Sequence, residues 1–110
     1  MRRISQRRKQ ELKEYEKVRF MVGVLRDHGL CIRCLEAGLS IFAADVAHVL
    51  PRGRFGSKTT HIGHQEKNLI SLCRPCHKAT ETFDGRVELL TLLRDLHGYD
   101  YSGPPWDEYV

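Results

Sequence analysis

No stretch of this chain approaches the roughly 18–20 apolar residues that a bilayer span requires, so a transmembrane protein is not expected. No apolar core follows the charged opening MRRISQRRKQ, and a secretory signal is not expected either. No internal repeat is visible apart from one duplicated cysteine pair. Cysteine is scarce, four residues in 110, but a chain this short buries only a modest core and gains from a metal or disulfide clip. A cytoplasmic location with reduced thiols is the expectation, and there four cysteines point to metal rather than disulfides. One domain is expected, with a short arm and a tail.

The charge that is present is unevenly placed. The net charge is +4; residues 1–20 hold eight Lys/Arg against three Glu, and residues 21–80 hold eight basic against four acidic residues. Residues 81–110 reverse this, with two Arg against seven acids. A basic first two-thirds beside an acidic tail fits binding of a polyanion through one surface. A solvated charged helix is the plainer reading of the same run.

Residues 5–28 are predicted helical: Leu12, Tyr15, Val18, Val22 and Leu25 recur every three or four positions. Ser5 is a candidate cap and Gly29 a candidate stop. Residues 31–40 form a turn carrying the first cysteines. Residues 41–49, IFAADVAHV, read as a strand despite three alanines, and Pro51 ends its pairing. Residues 52–67 are glycine-rich, basic and aperiodic, a long loop of the kind that usually carries function. NLISLC reads as a second, antiparallel strand, and RPCHKATETF starts a helix after the second cysteine pair. Residues 86–97 read as a leucine-rich helix that Asp84 caps and Gly98 stops. Tyr101, Trp106 and Tyr109 follow in a tail that Pro104 and Pro105 keep from being helical, to dock on the core or on a partner. The class is therefore small α+β.

Cys31 and Cys34 form one C-x-x-C pair and Cys73 and Cys76 another, 38 residues apart. Two such hooks let four thiolates converge on one zinc ion at about 2.3 Å, filling its tetrahedral shell and leaving no open position, so the zinc would be structural. Redox motifs or two disulfides are the alternative.

The set DVAHVLPRGRFG…EKNLISLCRPCHKA resembles the HNH endonucleases, a branch of the His-Me finger nucleases. It is most similar to the zinc-containing, largely phage- and prophage-associated members, whose two C-x-x-C pairs bracket the motif. The resemblance covers about residues 31–80. It implies a ββα-metal finger over residues 31–85 with a structural four-cysteine zinc, preceded by a basic helix over 1–30 and followed by a helix and acidic tail over 86–110. It implies a catalytic set of His48, Asn68 and His77: His48 as general base, His77 as ligand of a catalytic divalent cation, Asn68 as the residue orienting the loop or the His48 ring. Magnesium, manganese or another transition metal would serve as that cation. The implied products are 5′-phosphate and 3′-hydroxyl ends, made in DNA by nicking or double-strand cutting. A phage or prophage origin would place the protein in a bacterial host cell, with a DNA-packaging terminase as a partner by analogy.

The second metal ligand that many members carry before the base is replaced here by Ala47. Asp45 leaves a strand on the same face and is the candidate substitute, directly or through a water. His77 acting alone with the substrate phosphate, or a weak or inactive site that leaves a zinc-finger DNA-binding adaptor, are the other readings. HIGH at 61–64 spells a signature of class I aminoacyl-tRNA synthetases, whose large nucleotide-binding domain 110 residues cannot supply. His61 and His64 are read as plain loop residues, with contact to phosphate or the ion as the alternative. Arg7, Arg8, Lys9, Arg52, Arg54, Lys58 and Arg74 are the candidate contacts to DNA, mainly to its phosphate backbone. DNA binding should weaken steeply with salt, and removing residues 1–10 should flatten that dependence in a filter-binding titration; an unchanged slope would make the arm a solubilising face only.

Overall fold

In a computed structural model, residues 6–51 and 64–110 are described. Helix α1 (Gln6–Phe20) continues into a wider π-helical stretch, Met21–Arg26. There the amides of Asp27 and Gly29 reach back to the carbonyls of Val22 and Gly23. Both His28 and Gly29 adopt left-handed backbone (φ 53° and 73°), so the glycine stop expected at 29 is shared with the residue before it. The expected apolar stripe is only partly used. Val22 is fully buried, whereas Leu12 and Leu25 stay 44% and 62% exposed, and no residue of α1 itself is buried. Ser5 lies outside the described residues.

The chain then makes a knuckle. Short helix α2 (Ile32–Glu36) sits between two segments that pair through a bridge from Leu30 to Phe42. Their backbones exchange Cys31 N to Ile41 O (2.7 Å) and Ala43 N to Gly29 O (2.9 Å). This corrects the single strand expected over 41–49. Its first half is taken by the knuckle, and only β1 (Asp45–His48) pairs with β2 (Leu69–Leu72). The two strands are antiparallel, with Asp45 opposite Leu72 and His48 opposite Leu69. Asn68 closes a 3-10 turn, Glu66–Asn68, just before β2.

Helix α3 (Arg74–Ala79) starts at Cys73 and stops at Thr80, whose amide and hydroxyl both donate to the Cys76 carbonyl (3.0 and 2.7 Å). Helix α4 (Phe83–His97) starts three residues earlier than expected. Its cap is Thr82, not Asp84: the extended Thr82 accepts from the Gly85 amide, and Asp84 sits inside the first turn, where a carboxylate still favours the helix dipole. Gly98 (φ 71°) ends α4 as expected. No helix of the described residues is long and apolar enough to cross a membrane.

The core lies between the sheet, α4 and the tail. Every residue of β2 is buried, and Ile70 and Leu72 join Leu89, Leu90 and Leu93 of α4 in one apolar cluster. Tyr101, Trp106 and Tyr109 are buried in the same cluster, so the tail docks on the core. The Tyr101 hydroxyl donates to the Lys67 carbonyl (2.6 Å), and the Lys67 ammonium lies over the Trp106 ring (5.1 Å).

A two-stranded sheet leaves one edge of each strand unpaired, and a buried edge needs partners. On β2 those partners are side chains. Asp27 accepts the Ser71 amide (3.0 Å), and Arg26 donates to the Leu69 carbonyl (2.6 Å). The two side chains also pair with each other through two contacts of 2.7 and 3.0 Å. Arg26 further reaches the Glu66 carbonyl and the Tyr99 hydroxyl. Breaking a buried pair by deleting one partner strands the other charge, so Asp27→Ala should cost about 3–5 kcal/mol in urea unfolding. A loss well under about 1 kcal/mol would show that the pair is not what closes this edge.

Candidate metal centre and histidine groove

The four cysteine sulfurs lie within 4.8 Å of one another. Cys34 Sγ is 3.8 Å from Cys73 Sγ and 3.6 Å from Cys76 Sγ. A tetrahedron with bonds of about 2.3 Å has edges of about 3.8 Å, so the thiols are spaced to hold one zinc ion. The spacing arises locally: Cys31 precedes α2 and Cys34 lies within it, while Cys73 caps α3 and Cys76 lies one turn on. Burial alone would raise the Cys31 thiol, but hydrogen bonds from the Cys73 and Cys34 amides outweigh it and lower the thiol to about 7. Hydrogen bonding with Cys76 and Cys31, with burial, pushes Cys34 up to about 12. Zinc binding would displace the protons that the thiols still hold. Arg33 places a guanidinium N–H 3.6 Å from Cys76 Sγ while pairing with Glu88 of α4, a charge complement for a thiolate cluster.

On the neighbouring face, β1, α1, α3 and the start of α4 enclose an open groove of about 890 Å³. Asp45, His48 and His77 all line it. The His77 Nδ1 atom is 3.3 Å from Asp45 Oδ2, and its Nε2 is 4.0 Å from Glu81 Oε1. Ala47, which shares the Asp45 face of β1, is buried. Two oxygen or nitrogen ligands at right angles on one ion with bonds near 2.1 Å stand about 3 Å apart. The Asp45–His77 pair therefore fits a shared cation, although among the described residues only the cysteines bring three ligand atoms together.

Asn68 does not enter the groove. Its buried side chain accepts from the Leu50 amide (2.9 Å) and donates to the Leu50 carbonyl (3.1 Å). Its own carbonyl accepts from Val49 (2.8 Å). Three bonds thus fix the chain immediately after His48.

Two residues beside His48 depart from their sequence reading. His48 Nε2 lies 3.1 Å from His64 Nδ1, so His64 joins the site rather than standing as a plain loop residue. The Tyr15 ring stacks on His48 (5.4 Å, 19°) and tilts against His64 (4.5 Å). Tyr15 belongs by spacing to the apolar stripe of α1, and nothing in that spacing distinguishes a ring that faces histidines from one that faces leucines. Glu81 is a further groove residue that the motif does not contain; its position four residues after His77 is the available signal.

Arg74 lines the groove from the first turn of α3. Arg7, Arg8 and Lys9 are exposed on the first turns of α1, and Arg7 pairs with Glu11 at 3.4 Å. Arg52, Arg54, Lys58 and His61 lie outside the described residues.

Replacing Cys34 or Cys73 by Ser, or treating the protein with a strong chelator, should release one zinc per chain and abolish cooperative thermal unfolding. Elemental analysis beside circular dichroism checks this, and an unchanged melt would show that the thiols pack without a metal. Comparison with protein-family models, curated proteins and solved structures finds no match to this chain.

Proposed function

We propose that this protein is a metal-dependent endonuclease of the HNH type that hydrolyses DNA phosphodiesters. The observation that carries the reading is the meeting of His48, Asp45 and His77 in one groove, behind which Asn68 fixes the end of β1. The succession β1–β2–α3, with the cysteine cluster at the start of α3, is consistent with a ββα-metal finger.

In this reading His77 and Asp45 hold the cation, whose chemistry when bound is to offset charge on the attacked phosphate and on the departing 3′ oxygen. His48 takes the proton from the attacking water, a task suited to an imidazole with a free pKa of about 6.5. Water oxygen bonds to phosphorus, the bond to the 3′ oxygen breaks, and that oxygen leaves as a hydroxyl after gaining a proton. The phosphate stays on the 5′ side. The ring of His48 is held from two directions, by Tyr15 stacked on its face and by His64 at Nε2. Only one of the two facing nitrogens can carry the proton of that contact, so His64 constrains which His48 nitrogen is basic.

A second reading is a zinc-dependent DNA-binding adaptor without chemistry. The buried Ala47, which offers no ligand where many HNH proteins have one, favours it.

Supercoiled plasmid incubated with Mg²⁺, Mn²⁺ or Ni²⁺ separates the two readings. The wild type should relax or linearise the plasmid, and His48→Ala should bind it without cutting, a loss of at least about 10²-fold in rate, as for removal of a general base. Asp45→Ala should weaken the metal dependence. Absence of cutting by the wild type with every metal would leave the adaptor.

A further inference from the structure

Three helices each send one arginine into the histidine groove: Arg19 from α1, Arg74 from α3 and Arg86 from α4. Four other arginines of the described helices are paired with carboxylates, Arg7 with Glu11, Arg26 with Asp27, Arg33 with Glu88 and Arg94 with Asp95. Arg19, Arg74 and Arg86 have no ion-pair partner among the described residues.

Arg86 is held there by the backbone. The first turn of α4 approaches the end of α3 so closely that a Cβ on Gly85 would lie 2.4 Å from Thr80 Cα and 2.7 Å from its carbonyl carbon and oxygen. Only glycine allows this contact. Thr80 is in turn bonded to Cys76, so Arg86 is keyed to the same helix that carries His77. Arg19 stands one turn beyond Tyr15 on α1, on the side of the helix that faces the histidines.

The groove also holds the carboxylates of Asp45 and Glu81. A divalent cation held by Asp45 and His77 would offset both negative charges, leaving three guanidinium charges in excess. Forks that arrive from three different helices suit a DNA strand, which presents a phosphate about every 3.4 Å of helix axis.

We propose that Arg19, Arg74 and Arg86 form a cradle for successive phosphates of one nucleic-acid strand, so that the ligand of this groove is a polymer backbone and not a single phosphomonoester. This rests on reading the groove as a phosphodiester site. The test is kept separate from cutting by using the His48→Ala protein and a short fluorescent DNA duplex, with anisotropy followed over a series of salt concentrations. Each of Arg19→Gln, Arg74→Gln and Arg86→Gln should lower the slope of log K against log salt by about 0.9, and the triple variant by about 2.7. Arg94→Gln, whose charge is already paired, should leave it unchanged. Zinc content and circular dichroism confirm folding; Arg19 and Arg74 are exposed and carry the test should Arg86→Gln fail to fold.

Unchanged slopes in the groove variants, no duplex binding at all, or displacement of the duplex by inorganic phosphate as readily as by unlabelled duplex would each overturn the cradle. Plasmid cutting with unchanged slopes would keep the nuclease and discard the cradle. Lowered slopes with no cutting by the wild type would do the reverse.

Discussion

The convergence of four sulfurs is the constraint from which the rest of this small fold follows. Two of them belong to the α2 knuckle and two to the junction of β2 with α3, so their approach fixes one half of the domain against the other. With Cys76 in place, the next residue, His77, has its direction set by the helix. Pairing of β1 with β2 then places Asp45 beside it. A zinc ion at these thiols would supply folding energy that a core of this size does not provide by itself.

A second layer of fixing comes from side chains that replace missing backbone partners. Arg26 and Asp27 take the outer edge of β2, where a third strand would otherwise lie. Asn68 performs a similar service for Leu50, completing both of its backbone bonds from one amide group. Both devices are buried and hydrogen-bonded on both sides, the condition under which polar groups rigidify an interior rather than weaken it. The result is a groove whose walls at β1, α3 and the start of α4 are each tied to neighbouring elements by side-chain bonds.

Much of this is legible in the sequence because it depends on short spacings. The cysteine pairs, the adjacency of Cys76 and His77, the antiparallel strands and the leucine helix with its glycine stop are all encoded within a few residues. What cannot be read there depends on distant partners. The 41–49 segment looks uniform, yet its halves pair with different neighbours, the knuckle and β2. Arg26 and Asp27 look like the polar end of a helix until Leu69 and Ser71, more than 40 residues on, come into contact with them. His64 and Tyr15 meet His48 across gaps that no local pattern spans. Thr82 in place of Asp84 as the cap is a local ambiguity, between two competent residues on either side of the helix start.

The central claim is that one rigid, cysteine-anchored unit presents His77 and His48 to the same cation and phosphate. Titrating zinc-loaded protein with Mn²⁺ while following the histidine ring signals by NMR tests it most directly. Paramagnetic broadening should appear first at His77, then at His48 and His64, and should spare His28 and His97. Broadening that favours His28 or His97, or that never discriminates among the rings, would contradict the account.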